Sequence, residues 1–468
     1  MGWTLGIDLA CRAAHVASLA APDGTIIWTG RTFFTRPAEL ERLLDDIDCD
    51  PTQLTVVMEP TRNAWSPVAA WFERHGCRIV LVPTSQSSDL RQYYSKHTKN
   101  DRLDSRLLAR LPLLHPEGLA DHRSAGPAEP LRRAVRHRSS LVKRRSAVFA
   151  RLDALLELLG PAWYEALGAD FGNASLHLLA HYANPTILLR LGLRRLAEFL
   201  RRYSHGQWNH DKEVQLIDAA KASLDLWDGD GIDFTQLGLD IAIEAEQALL
   251  LGSQIRDLDA RIAELYQAQD PDRVIASAPG VGPFIAAVIA GRVGDVTRFP
   301  SLAAVRSYSG LVPKVSQSGT SEHHAGVTKA GDTLLRESIW QAADMARRID
   351  PQLAAKYVRL MNAGRHHDSA ICHVATTLLT RIASCWRAGQ PYQIRDLDGT
   401  ILTVEQGKAI IAAQHQVEPG QRQARRQTRT SQRLKKRTGR VSQESPSAPP
   451  PRPVAVQPRS LPPQLDFP

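Results

Sequence analysis

The sequence predicts an α/β domain at the N-terminus, followed by helical regions and a disordered tail. Short apolar runs suited to strands alternate with amphipathic helical segments over about the first 110 residues. Residues 130–270 show helical spacing almost throughout, and apolar periodicity ends beyond about residue 415. With 468 residues the chain is too long for one ordinary domain, so two or three folded units are expected.

The N-terminal region, residues 1–125, has the order strand, hairpin, helix, strand, helix, strand. The apolar runs "WTLGIDLA", "LTVVMEP" and "CRIVLVP" are strands, and Asp23-Gly24 gives a hairpin turn in "HVASLAAPDGTIIWTGRTFF". "AELERLLDDI" and "AWSPVAAWFERHG" have helical spacing, and "KNDRLDSRLLARLPLL" begins a further helix. This order is the one expected of a ribonuclease-H-like fold.

Residues 126–270 are predicted to form a helical, coiled-coil linker region. The stretch "LRRAVRHRSSLVKRRSAVFARLDALLELL" is a long amphipathic helix with a basic outer face. Further on, apolar residues recur with the alternating spacing of a short heptad seam. A seam of this kind suits a helical hairpin or a subunit contact, and pairing within the chain is favoured. Its members are Leu251, Ile255, Leu258, Ile262 and Leu265.

The C-terminal unit, residues 271–395, is expected to be mainly helical. Between two apolar helical runs lies "PGVGP", with Gly280 and Gly282, which is typical of a helix-hairpin-helix motif. Small residues let a nucleic-acid backbone approach, and amides at a helix N-terminus can hold a phosphate. A tight turn between packed helices is the structural alternative.

The stretch "LVPKVSQSGTSEHHAGVTKAGD" then indicates a polar loop flanked by helices. A serine hydroxyl is a weak nucleophile until a base or nearby cations activate it. Basic residues after the loop are candidate contacts to a nucleic-acid backbone. By spacing alone the three serines are equivalent. The residues concerned are Ser316, Ser318 and Ser321, followed by Lys329 and Arg336.

Composition narrows the partners and the compartment. The formal net charge is +9, and residues 421–440 alone carry nine Lys/Arg and no Asp/Glu. The basic, proline-rich tail, residues 415–468, is therefore expected to attract polyanions, nucleic acid above all. No run approaches eighteen consecutive apolar residues and no signal peptide is evident, so neither a membrane span nor secretion is expected. Five scattered cysteines without a CxxC pair favour a reducing cytoplasm.

Four acidic residues lie where strands end and a helix begins. Asp8 ends the strand in "GIDLA" and Glu59 follows the strand in "VVMEP". Asp101 and Asp104 are three apart in "NDRLDS", which places both carboxylates on one helical face. If the two strands are neighbours, Asp8 and Glu59 emerge at the same edge of the sheet. Taken singly, each acid also fits a helix cap or a surface position.

Converging carboxylates repel one another unless cations neutralise them. Hard ions such as Mg²⁺ favour oxygen ligands, and two such ions can clamp the attacking and leaving oxygens of a phosphodiester. Lys99 and Arg102 interleave with the acids, and such cations could position phosphates around a metal site. The pattern therefore favours phosphodiester chemistry.

The motifs together resemble a known family. "GIDLA", "MEPT", "KNDRLDSRLLA", "PGVGP", "YSGLVP", "QSG" and "TKAGDTLLR" occur in this order. The set resembles the bacterial insertion-sequence transposases of the family numbered one hundred and ten, over approximately residues 1–400. One departure is Arg62 after "MEPT", where the family often has glycine.

The resemblance implies a RuvC-like DEDD domain whose acids, Asp8, Glu59, Asp101 and Asp104, bind Mg²⁺. It implies a C-terminal transposase domain whose serine attacks DNA and holds it covalently. Ser318 matches that serine because it directly precedes Gly319 at the family's distance from "GLVP". It further implies a structured bridge RNA that pairs with the element ends and target DNA, and dimers or tetramers that combine the acids of one protomer with the serine of another.

The sequence thus predicts a magnesium-dependent DNA transposase of the recombinase type. Two other classes stay open. A RuvC-like nuclease, such as a junction resolvase, would need the four acids but not Ser318. A non-catalytic nucleic-acid-binding protein would need neither. An actin-like sugar kinase is disfavoured because the glycine-rich phosphate loops of that fold are not evident.

Overall fold

The computed structural model describes residues 2–84, 86–87, 101–114, 119, 121–122, 126–168, 171–228, 231–318, 321–328, 330–418 and 420. For Asp101 and for residues 313–318 and 321–327 only the backbone is described. The chain divides into two compact units, Met1–Gln269 with Ala290–Pro300, and Asp270–Ile289 with the residues from Ser301 onwards. Apart from 415–418 and 420, the predicted disordered tail lies outside the described residues. None of the described helices is both long and apolar enough to cross a membrane.

The first unit begins with a mixed five-stranded sheet of the predicted ribonuclease-H-like kind. Its strands lie in the order β3-β2-β1-β4-β5. Strands β1 to β3 are antiparallel neighbours, and β4 and β5 run parallel to β1. Strand β4 is buried along its whole length, as expected of a central parallel strand. The bounds are β1 Trp3–Asp8, β2 His15–Ala20, β3 Ile26–Phe33, β4 Leu54–Met58 and β5 Arg78–Leu81.

The helices predicted around this sheet are also present. Helix α1 is Pro37–Asp45, α2 is Trp65–Arg74 and α3 is Asp101–Leu114. Leu40 and Leu43 of α1 and Phe72 of α2 join the strands in one apolar core. The predicted hairpin is confirmed as well: Gly24 has φ 87, and the Thr25 amide donates to Asp23 Oδ1 at 2.9 Å.

Helix α3 crosses strand β1 at very short range because Gly6 has no side chain. A Cβ at Gly6 would lie 2.2 Å from both the carbonyl oxygen of Ser105 and the amide nitrogen of Ala109. The buried hydroxyl of Ser105 also lies 2.8 Å from that of Ser18 in β2, which in turn lies 2.8 Å from Thr29 Oγ1 in β3. Close packing and this buried hydroxyl chain together fix α3 on the sheet.

The rest of the first unit is helical, as predicted. Arg138 of α4 pairs with Asp259 of α9, and Arg151 with Glu244, so these two long helices run antiparallel. In the predicted seam, Leu251 and Ile255 are buried in the core of this region. The bounds are α4 Glu129–Leu156, α5 Ala162–Leu167, α6 Asn173–Tyr182, α7 Pro185–Ser204, α8 His210–Trp227 and α9 Phe234–Gln269.

The second unit is mainly helical, with one hairpin where the sequence predicts a loop. Strands β6 and β7 pair antiparallel, so the loop prediction for this stretch is wrong. The stretch that forms β6 and β7 has few apolar residues. Its strands are therefore defined by backbone pairing and not by an apolar face. The bounds are α10 Pro283–Val293, which spans the division between the units, α11 Leu302–Ser309, β6 Pro313–Ser318, β7 Ser321–Val327, α12 Thr333–Ala346, α13 Pro351–Asn362, α14 His367–Ala388 and α15 Val404–Gln414.

Replacing Gly6 with alanine is expected to destabilise the first unit, because the new methyl group meets the α3 backbone. Overpacking of this kind costs about 3 kcal/mol, which lowers the melting temperature by about 6–12 °C. The matched control is Gly172→Ala, where a Cβ would meet no atom of the described residues within 4 Å. Thermal denaturation of both variants checks this, and equal melting temperatures would contradict the proposed role of the contact.

Candidate functional site

Asp8 and Glu59 lie side by side at the carboxyl ends of two parallel strands. Ile7 of β1 pairs with Met58 of β4, so Asp8 and Glu59 occupy the next position in the register. Both residues are half-buried. The sheet therefore places two carboxyl groups at one edge, where open α/β sheets commonly bind ligands.

Asp104 joins these two acids from helix α3. It is buried, with 8% of its surface exposed, and with Asp8 and Glu59 it lines one small pocket. Leu107, Leu108 and Leu111 of α3 and Ser87 complete the lining. The structure thus brings together three of the four acids that the sequence singles out.

Asp101 begins α3 three residues before Asp104, so helical spacing puts it on the same side of the helix. Its side chain is outside the described part of the chain.

Ser87 is a pocket residue that the sequence does not indicate. Its hydroxyl donates a hydrogen bond of 2.5 Å to Glu59 Oε2 and lies 3.1 Å from the carbonyl oxygen of Thr84. The contact fixes the direction of the Glu59 carboxylate. Ser87 follows β5 in the polar stretch "TSQSSD", which has neither a period nor a motif.

His15 supports the chain just beyond Asp8. Its Nδ1 accepts a hydrogen bond of 3.1 Å from the Ala10 amide, and Nε2 lies 2.7 Å from Thr35 Oγ1. Burial lowers the pKa of His15, which favours the neutral ring that can accept this bond.

The turn after Glu59 keeps a conformation that favours glycine, although the chain has arginine there. Arg62 has φ 48, in the left-handed region. A non-glycine residue pays about 1–2 kcal/mol for this conformation. Arg62 therefore occupies a left-handed position that glycine would adopt without this strain.

The donor set of the pocket fits a hard divalent ion. Among the described residues, its polar lining consists of three carboxylates and one hydroxyl, without histidine or cysteine. Oxygen donors of this kind suit Mg²⁺ or Mn²⁺ and do not suit the softer metals. Among the described side chains, no three Asp, Glu, His or Cys groups lie close enough together to hold a metal ion. An ion that binds here would therefore have to draw the three carboxylates closer to one another.

Ser318 lies in the second unit, at the end of strand β6. Its backbone pairs with Ser321 of β7, while Ser316 pairs with His323 further down the ladder. The three serines that look equivalent in sequence therefore differ in position, with Ser318 and Ser321 at the tip of the hairpin. The side chains of this hairpin, and Gly319 with Thr320, are outside the described part.

The predicted basic contacts have different environments. Arg102 extends over β3, where its guanidinium donates to the Thr29 carbonyl at 3.4 Å. Arg336 donates to the carbonyl of Ser309 at 3.2 Å and so stabilises the C-terminal end of α11. Lys99 and Lys329 lie outside the described residues.

The two glycines of "PGVGP" also differ from each other. Gly280 has φ 75, and a Cβ there would lie 2.3 Å from the carbonyl oxygen of Ala342 in α12, so it serves the packing of that helix. A Cβ at Gly282 would meet no atom of the described part of the chain within 4 Å. The run before them is a single 3-10 turn, Ile275–Ser277, rather than the predicted helix, because the residue before Pro279 is driven out of the helical region.

Two transposase family models match parts of this chain. Residues 5–161 match the DEDD domain of IS110 elements, described as "Transposase", and residues 272–358 match the "Transposase IS116/IS110/IS902 family". The "Insertion element IS110 uncharacterized 43.6 kDa protein" of Streptomyces coelicolor is 26% identical over 84% of this chain and 96% of its own. The "Insertion element IS116 uncharacterized 44.8 kDa protein" of Streptomyces clavuligerus is 26% identical over 79% of this chain and 91% of its own. The "Transposase for insertion sequence element IS1328" of Yersinia enterocolitica is 25% identical over 28% of this chain and 40% of its own.

The two family matches together span more than half of the chain, in the order that the motifs indicate. A DEDD transposase domain implies a divalent metal ion, and transposition implies DNA binding. The three pocket acids lie within the first match, and Ser318 lies within the second. The chain belongs to the IS110 family of insertion-element transposases.

Proposed function

We propose that this transposase cuts and rejoins DNA with magnesium-binding carboxylates and a serine nucleophile, guided by a structured RNA of its element. The observation that carries the proposal is the shared pocket of Asp8, Glu59 and Asp104 at the edge of the sheet. Asp101, on the same face of α3, would be the fourth ligand. Bound Mg²⁺ would supply positive charge to a scissile phosphate.

Ser318 would attack the phosphorus of the scissile bond. Its oxygen forms a phosphoserine ester as the bond to the leaving 3′-oxygen breaks, and that oxygen takes up a proton to leave a free 3′-hydroxyl. Rejoining reverses the step, with a 3′-hydroxyl attacking the ester and serine as the leaving group. Two basic residues, Lys329 and Arg336, are the proposed contacts to the DNA backbone. Near the acids, phosphates would be bound by Lys99 and Arg102. The backbone at Gly280 and Gly282 would contact a nucleic-acid strand near α10.

The guide RNA would pair with donor and target DNA, and the protein would bind its backbone and shape, as other guided enzymes do. The basic face of α4 and the helical middle of the chain are the proposed grip for this RNA. Dimers or tetramers would combine the acids of one protomer with the serine of another.

Neutralising Asp8 or Asp104 by substitution with asparagine is expected to abolish strand cleavage. Loss of one carboxylate removes an anionic ligand, so activity should fall by more than about 100-fold, beyond the loss typical of an outer-shell partner. Mn²⁺ binding by titration calorimetry should weaken in parallel. Asp48→Asn, at an exposed position in the same unit, is the matched control. Unchanged cleavage by Asp8→Asn would contradict the role of this carboxylate, and a wild type that binds DNA without cleaving it would favour a non-catalytic protein.

Ser87→Ala is expected to weaken Mn²⁺ binding by about tenfold, because Glu59 loses the hydroxyl that directs it. Ser87→Thr keeps the hydroxyl and should bind close to wild type. Calorimetric titration of the three proteins measures this, and an alanine variant with wild-type affinity would show that Ser87 does not position the carboxylate.

Ser318→Ala is expected to eliminate a covalent protein–DNA adduct on a denaturing gel, because no other atom would form the phosphoserine ester. Ser316→Ala, two residues away on the same strand, should still form the adduct. A Ser318→Ala protein that still recombines DNA would favour the RuvC-like nuclease without serine chemistry.

A further inference from the structure

Helix α7 carries an exposed, net basic surface, on which the exposed Glu198 is the one acidic residue of the helix. The helix holds five arginines and one glutamate, and Gly192 with φ 75 breaks it into two parts. In the second part four arginines are exposed, and helical spacing puts them on one side. Within the part of the chain that the structure describes, no salt bridge involves any of them. They are Arg194, Arg195, Arg201 and Arg202.

The other strongly basic helix of this region, α4, is different. Its partner α9 carries six acidic residues against two basic ones. Arg138 and Arg151 of α4 are paired with carboxylates of α9. Part of the charge of α4 is therefore used within the fold, whereas that of α7 is directed to solvent.

Aromatic rings border the arginines of α7 along one edge. Tyr203 stacks on His177 of α6, with ring centroids 4.0 Å apart and planes at 26°. Phe199 lies 4.8 Å from Tyr203, and the exposed His181 lies 5.6 Å from Phe199. Arg202 lies over the Tyr203 ring at 5.6 Å.

We propose that this surface binds single-stranded nucleic acid, with the α7 arginines on phosphates and a base continuing the His177–Tyr203 stack. A basic track beside aromatic rings is what unpaired strands need, because the arginines neutralise the backbone and the rings replace lost base stacking. A duplex keeps its bases stacked inside and would use only the arginines. The proposal deepens the RNA binding proposed above for the helical middle of the chain and rests on it.

The test is fluorescence anisotropy of the full chain with labelled oligouridine of about 16 nucleotides, the length of a long single-strand site. Arg194→Glu with Arg201→Glu should weaken binding by about tenfold or more. It should also lower the slope of log affinity against log salt by about 1.4, or 0.7 for each lost phosphate contact. The control is Arg42→Glu with Arg74→Glu, an equal charge change at exposed positions of α1 and α2. It should leave both the affinity and the salt slope unchanged.

A second pair of variants tests stacking. Tyr203→Ala should weaken binding by about tenfold, and Tyr203→Phe should bind like wild type. Thermal denaturation identifies variants that fold normally. Oligothymidine of equal length distinguishes the source of the strand: tighter RNA binding supports a guide RNA, and tighter DNA binding supports an unpaired DNA strand.

If the α7 pair and the control pair weaken oligonucleotide binding equally, the effect is one of general charge, and the proposed binding surface is wrong. Tighter binding to a duplex than to either single strand would overturn the stacking role. If wild type binds RNA and the α7 variants bind equally well, this surface is wrong while the proposed RNA binding stands. If wild type binds no RNA, the proposed RNA binding fails as well.

Discussion

The close contact between Gly6 and helix α3 is the constraint on which the acidic pocket depends. The carbonyl of Ser105 lies where a Gly6 side chain would be, and Asp104 is the preceding residue on the helix. Asp8 lies two residues beyond Gly6 on the same strand. The distance between strand and helix therefore sets the distance between the carboxylates that they carry, and a larger residue at position 6 would separate them.

Packing has to hold these carboxylates together because their charges oppose it. The buried hydroxyl chain from Ser105 through Ser18 to Thr29 adds directional bonds to the apolar contacts that hold α3. Ser87 fixes one carboxylate, and His15, with its pKa lowered by burial, is favoured in the neutral form and adds no charge near the strand end. The contacts that stabilise the fold thus offset the repulsion between the carboxylates until a cation binds.

Local patterns in the sequence predict the parts of the site that depend on secondary structure. Strand ends and helical spacing place Asp8, Glu59 and Asp104, because the period of each element decides where its side chains point. Ser87 could not be predicted, since its role arises only when the chain after β5 returns to Glu59. Arg62 likewise conceals a left-handed turn that glycine would have indicated. The hairpin of β6 and β7 is hard to predict because its polar strands lack an apolar alternation. The one signal for it is Gly319-Thr320 between the two strands, which is typical of a turn.

An acidic pocket repels the phosphates on which a transposase acts, so binding has to come from elsewhere in the molecule. Part of the positive charge of α4 is neutralised by salt bridges to carboxylates of α9. The exposed arginines of α7 form no salt bridge among the described residues, and they lie beside rings that can stack with bases. In the proposed function, the binding surface and the reaction site are then built from opposite charges on different elements. This separation would let the carboxylates bind cations while the arginines hold the strand.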